Sequence, residues 1–220
     1  MPFCVLAPEV QDDDSSLTLI DAGSPGTAGE MAAALGSVGL RPYALRRIVL
    51  THFHWDHVGA AAEPAAQYGA TILAHRADAP VIRGEQPPPW PDFTDAPDRE
   101  RELFEQVQGP GGPTADRPAI SCAPPCPVDI EVAPGDVLEF AGGARVVHVP
   151  GHTEGSLALH IPAHSVLLAG DGLARIGSDV VPGVFNQDRS RLLASAHLLT
   201  GLGAETMCVG HGDPVVSGGT

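Results

Sequence analysis

Lysine is absent from this 220-residue chain. Its twelve basic residues are all arginine, set against 27 acidic ones, for a formal net charge of −15. Without an amine side chain, Schiff-base chemistry and a Walker-type lysine are excluded. The negative excess repels phosphate backbones and argues against nucleic acid as a partner. Long apolar runs are missing too. Met31–Leu35 and Val166–Ala169 fall far short of the roughly 20 residues a membrane span needs, so no membrane partner is expected. The opening MPFCVLAPEV lacks the basic start and apolar stretch of a secretory signal, so a cytoplasmic protein is expected. Four cysteines (Cys4, Cys122, Cys126 and Cys208) are too few for a disulfide framework.

What is present suits one globular unit over 1–220. Hydrophobic residues make up 43% and charged residues 18%, enough for a sizeable core. In the first half, short apolar strands alternate with helices. Strands are expected at Leu17–Ile20, Arg46–Thr51 and Ala70–Ala74, with helices at Glu30–Val38 and Val58–Tyr68, the latter with a kink at Pro64. This is the α/β pattern. From about 79 to 126 the rhythm breaks into proline- and glycine-rich sequence holding one expected helix, Asp98–Gln108. An insertion of this kind reads as a lid. Beyond it, strands are expected near Val128–Val132, Val137–Phe140, Arg145–Val149, Ser156–Ile161 and Val166–Leu168, spaced like an antiparallel meander. A helix at Asp188–Leu199 and a strand at Thr206–Val209 close the chain.

The strongest chemical signal is Thr51-His52-Phe53-His54-Trp55-Asp56-His57. Residues two apart in extended chain point the same way, so His52 and His54 can reach one ion. A turn into helix at Asp56 and His57 aims those side chains at a second point. Imidazole and carboxylate suit zinc, iron and manganese alike. The alternative is a histidine-rich helix start with Asp56 as N-cap. His152, Asp171 and His211 each follow an apolar strand and sit beside glycine, in PGHTEGS, AGD and GHG.

With THFHWDH, PGHTEGS, AGD and GHG in this order, preceded by LIDAG, the chain resembles the metallo-β-lactamase superfamily. The resemblance runs from about Leu17 to Asp213. It implies an αββα sandwich of two mixed sheets with outer helices and the site at one sheet edge. It also implies that His52, His54 and His152 bind one metal, Asp56, His57 and His211 a second, and that Asp171 bridges both. Enzymes of the family that destroy β-lactams have cysteine or serine at the Asp171 position. An aspartate there resembles the glyoxalase II and lactonase branches. Classical glyoxalase II adds a C-terminal helical extension for glutathione, whereas this sequence runs nine residues past His211.

The expected function is therefore a metal-dependent hydrolase. A metal-bridging hydroxide would attack a small-molecule thioester, lactone or ester, with two divalent ions, zinc ahead of iron or manganese, and Asp56 orienting the nucleophile and carrying its proton. The alternatives are a mononuclear iron persulfide dioxygenase and a non-catalytic metal-binding module of the same fold. His75, Phe185 and Asn186 are candidate substrate contacts, and Arg83 and Arg175 candidate anion binders. Trp90 reads as a lid aromatic or a loop anchor. Cys122 and Cys126 read as surface thiols ahead of a structural metal site or disulfide.

Overall fold

The computed structural model describes residues 4–6, 16–108 and 123–217. The first half holds β1 (Cys4–Leu6), β2 (Leu17–Ile20), α1 (Ala28–Ser37), β3 (Leu45–Leu50), α2 (Trp55–Val58), α3 (Ala62–Tyr68) and β4 (Thr71–His75). Then come α4 (Ala79–Ile82), α5 (Asp98–Gln108), β5 (Ile130–Val132), β6 (Val137–Leu138), β7 (Ala144–His148), β8 (Leu157–Ile161) and β9 (Val166–Leu168). The chain ends with β10 (Leu173–Ile176), β11 (Asp179–Pro182), α6 (Arg189–Gly201), β12 (Thr206–Cys208) and β13 (Val215–Val216).

Two mixed sheets carry the architecture. The first has order β1-β2-β3-β4-β5, parallel except for the β1–β2 pair. The second has order β13-β12-β9-β8-β7-β6, antiparallel except for β12 beside β9. Successive strand side chains face opposite sides, and this period sorts the apolar residues into three layers. Leu19, Ile48, Leu50 and Ile72 pack outward against Met31 and Leu35 of α1 and Ala65 of α3. Their sequence neighbours Ile20, Val49 and Leu73 face inward, onto Val146, Leu157 and Leu159 of the second sheet. On the far side Ala158 and Leu167 pack against Ala196 and Leu199 of α6. The result is the expected αββα sandwich.

Local chemistry sets the element ends. Asp188 caps α6 by accepting from Arg191 N at 2.9 Å. The expected helix 58–68 is two helices. Pro64 falls in the first turn of α3, where no intrahelical donor is needed, so it does not kink the helix. β5 is not part of the antiparallel meander; it pairs in parallel with β4, in the first sheet. Cys126 is not a surface thiol: it is buried in the outer core layer, its amide donating to Ile82 O. Cys122 lies outside the described residues. Among the described residues no helix is long and apolar enough to cross a membrane.

Candidate metal centre

Four strand ends deliver the chemical groups to one edge of the two sheets. The loop after β3 carries His52 and His54, and α2, which follows it directly, carries Asp56 and His57; the segments after β7, β9 and β12 carry His152, Asp171 and His211. The N-cap of α2 is His54, so Asp56 does not cap the helix and its side chain stays available. A Cβ at Gly210 would collide with the Asp171 carboxylate, which explains glycine before His211.

The groups form two adjoining clusters. His152 Nε2 lies 2.8 Å from His54 Nδ1 and 3.2 Å from His52 Nε2. In the second cluster, Asp56 Oδ2 lies 3.3 Å from His211 Nε2 and 3.8 Å from His57 Nε2. Asp171 stands between them. Its Oδ2 is 3.6 Å from His152 Nε2 and 3.2 Å from His211 Nε2, and its Oδ1 is 3.2 Å from His57 Nε2. Each of the trios His52–His54–His152, His52–His57–Asp171 and Asp56–His57–His211 keeps its ligand atoms within 4.8 Å of one another.

Hydrogen bonds behind the imidazoles settle where their protons sit. Thr51 Oγ1 donates its one proton to Asp21 Oδ2, so His52 Nδ1 must donate to Thr51 Oγ1, leaving His52 Nε2 bare. Asn186 Nδ2 donates to Gly183 O and to Glu100 Oε1, so its Oδ1 faces His152 Nδ1 and accepts from it. His152 Nε2 is then bare as well. Two lone pairs thus meet at 3.2 Å in a buried site. A proton on His54 could satisfy only one of them, whereas a cation satisfies all three nitrogens. His57 Nε2 and Asp171 Oδ1 are buried and not aligned to hydrogen-bond each other. The donor set fits divalent metal ions of the zinc, iron or manganese kind.

Electrostatics divides the site the same way. Burial, then the neighbouring imidazoles, holds His52 well below its ordinary value and His54 at about 3. Burial also lowers His152. These three imidazoles are held neutral, with lone pairs to offer a cation. For His57, burial opposes charge, but the carboxylates of Asp171 and Asp21 outweigh it and raise the imidazole well above its ordinary value. Hydrogen bonds to Asp171 and Asp56 raise His211 to about 10. Burial likewise opposes ionisation of Asp171, yet His57 and His211 hold it well below the usual carboxylate range. The carboxylate-rich half is therefore built to meet positive charge.

The supporting residues were less visible in the sequence. Asp21 accepts from Thr51 N, Thr51 Oγ1 and His57 Nδ1, each at 2.8 Å. Its position at a strand end before Gly23 was the available signal. Asp78 accepts from Phe53 N, Thr153 Oγ1 and Gly155 N, and no local pattern marks it.

A cavity of about 270 Å³ opens onto Asp56, His54, His152, Asp171 and His211. Its other walls are Trp55, Pro91, Phe104, Val107, Val184 and Phe185. Of the three candidate substrate contacts, Phe185 lines this cavity. Asn186 does not: its amide is committed to His152, Gly183 and Glu100. Nor does His75, which stacks on His148 with ring centroids 4.5 Å apart. Arg83 is held by Glu85 and Glu131, and Arg175 donates to Gly177 O and Pro214 O, so neither side chain faces the cavity.

An αββα sandwich with histidines and aspartates gathered at one edge of its facing sheets defines a class of metal-binding proteins. The chain belongs to the metallo-β-lactamase superfamily, whose family model matches residues 9–211. It is similar to the probable metallo-hydrolase YflN of Bacillus subtilis, 27% identical over 94% of this chain and 79% of that protein. It is similar to a hydroxyacylglutathione hydrolase of Cereibacter sphaeroides, 27% identical over 96% of this chain and 67% of that protein. Among solved structures it resembles TTHA1623 in a di-iron-bound form, 26% identical, TM-score 0.61, over 96% of this chain and 88% of that one.

Proposed function

We infer that this protein is a dinuclear metal-dependent hydrolase acting on an ester, lactone or thioester of a small molecule. The observation that supports this most is the pair of bare nitrogens, His52 Nε2 and His152 Nε2, facing each other beside the Asp171 carboxylate, with His152 and Asp171 lining an open cavity. The family membership and the metallo-hydrolase and hydroxyacylglutathione hydrolase relatives support the reaction class.

In this reading His52, His54 and His152 hold one ion, and Asp56, His57 and His211 hold the other. Asp171 touches both sets and fixes their separation. Divalent ions held here would supply Lewis acidity and lower the pKa of water towards about 7. Asp56 lines the cavity and is placed to take the proton of the attacking water and pass it to the leaving group. Asp21 keeps His57 oriented, Thr51 keeps His52, and Asn186 keeps His152. Residues 91–107 form part of the cavity wall through Pro91, Phe104 and Val107, which supports a lid role for the insertion at 79–126. Zinc as the resident metal and the cytoplasm as the compartment belong to the same reading.

Elemental analysis combined with turnover on a panel of esters, lactones and thioesters tests it. The expected result is two metal ions per chain and hydrolysis of at least one acyl substrate. One iron per chain with oxygen consumption on a persulfide, and no hydrolysis, overturns it.

A further inference from the structure

We propose that the cavity binds an uncharged, apolar acyl or alkyl group, and that anionic thioesters such as those of glutathione or coenzyme A are disfavoured. The inference rests on the hydrolase reading for the reaction but on separate residues for the substrate.

Beyond the candidate ligands, the walls are apolar throughout: Trp55, Pro91, Phe104, Val107, Val184 and Phe185. Phe104 is their centre. Its ring lies 5.2 Å from Phe185, 5.1 Å from Phe93 and 5.9 Å from Trp90, mostly edge to face. This cluster clamps α5 against the Phe185 loop. Trp90 of this cluster, and Val107 and Val184 of the cavity wall, remain half exposed, at 50%, 50% and 38%. Large apolar side chains left in contact with water around a cavity mouth mark a binding surface. At about 270 Å³ the space lies just under the roughly 300–1,000 Å³ of typical ligand pockets, so it suits a compact group.

Among the described residues, and apart from the candidate ligands, no cationic side chain lines the cavity to meet an anionic substrate. The chain has no lysine and a net charge of −15. Among the described residues no arginine lines the cavity. The nearby ones are engaged. Arg189 pairs with Glu100 at 2.9 Å, Arg101 donates to Phe93 O, and Arg175 donates to Gly177 O and Pro214 O. A carboxylate or phosphate brought against these walls would lose its water without gaining a partner. An alkyl chain or aromatic ring loses nothing and buries its surface.

The test uses metal-loaded protein and two ligands with the same hexyl chain: uncharged N-hexylacetamide and the charged S-hexylglutathione. Calorimetry should show N-hexylacetamide binding at least about tenfold more tightly, and Phe104→Ala should weaken it by about tenfold, the loss of part of one aromatic contact. Metal content should not change. Phe104→Arg places a cation in the wall and should reverse the preference towards S-hexylglutathione. Tighter binding of S-hexylglutathione by the unaltered protein overturns the proposal, as do Phe104 variants that leave both affinities unchanged. If binding follows the expected pattern but no acyl substrate is turned over, the hydrolase reading fails and the cavity assignment stands. If S-hexanoylglutathione is turned over with higher kcat/KM than phenyl hexanoate, the cavity assignment fails and the hydrolase reading stands.

Discussion

Thr153 Oγ1 donates to Asp78 Oδ2 at 2.7 Å, across 75 residues of sequence. Phe53 N and Gly155 N donate to the same carboxylate at 3.2 and 2.7 Å. Asp78 therefore ties the loop bearing His52 and His54 to the loop bearing His152. These donors favour the ionised form, but burial is the larger effect and pushes the carboxyl up to about 7 from 3.8.

That shift has a definite sign. Between about pH 4 and pH 7 the folded protein binds a proton at Asp78 that the unfolded chain has released. The stabilising contribution is complete below about 3.8 and is lost as pH rises through about 7. Asp78→Asn removes the titration and keeps one acceptor oxygen. Relative to the unaltered protein, its Tm should therefore improve as pH goes from 5 to 8, by roughly 2–4 °C for each kcal/mol recovered. Thermal unfolding of both proteins at pH 5, 6.5 and 8 measures this. Parallel curves would mean that burial does not control the group.

A second prediction concerns Cys126. Its thiol is buried, and burial, then the charge of Asp129, raises its pKa to about 12. The thiolate is the reactive form. Cys126 should resist a thiol reagent at pH 8 in folded protein and react on unfolding. Labelling followed by peptide mapping reads this directly, and rapid modification of native protein would contradict the packing.

The placement of Cys126 also shows where local sequence stops being informative. Flanked by prolines, it reads as a surface position; its burial depends on Ile82 accepting its amide hydrogen bond and on the apolar layer around it. β5 fails in the same way. Three residues cannot specify a partner, and pairing with β4 is set across 57 residues of chain. Short, mostly apolar runs bounded by turn residues, such as Leu17–Ile20 before Asp21-Ala22-Gly23, were legible because their signal is local. So was α5, whose bounds coincide with the expected helix because Pro97 and Asp98 punctuate its start. The β10–β11 hairpin, missed in the sequence, turns at Gly177-Ser178, a two-residue signal masked by weak alternation in Leu173–Ile176. The candidate ligands were visible because each combines a metal-binding side chain with a strand end. Asp78, and the commitment of Asn186 to His152, were not, because both depend on long-range contacts.

Asp171 lies against both sets of candidate ligands, so its loss should act on both at once. Asp171→Asn keeps the size and removes the charge. It should lose at least one metal and lower turnover by roughly 100-fold or more, at or beyond the cost of losing a group that supports a ligand. His211→Ala should weaken chiefly the Asp56–His57 side. His75→Ala, stacked on His148 away from the cavity, should leave metal content unchanged. Metal analysis of the three variants separates these effects, and an Asp171→Asn protein with two ions and full activity would remove the bridge from the mechanism.

Glu100 supplies the last prediction, because it reaches a candidate metal ligand through another residue. It is buried on α5, in the proposed lid. Its Oε2 pairs with Arg189 at 2.9 Å, while Oε1 accepts from Phe185 N at 2.7 Å and Asn186 Nδ2 at 3.4 Å. The bond to Phe185 N holds a non-glycine residue at φ 62°, a backbone state that persists only when its surroundings enforce it. The bond to Asn186 helps fix its amide so that Oδ1, not Nδ2, faces His152 Nδ1. Glu100→Leu would leave Phe185 N and Arg189 without their partner and weaken the hold on the Asn186 amide, and the Nδ1 proton of His152 would lose its fixed acceptor. Metal affinity should fall by roughly 10–100-fold, the usual effect of losing a partner that orients a ligand. Chelator competition measures this without any substrate. Asn186→Leu, which removes the acceptor itself, should produce a loss of similar size, and the double variant should lose little more than either single one, because both act on the same His152 bond. Additive losses would place Glu100 in lid anchoring alone, with no path to His152.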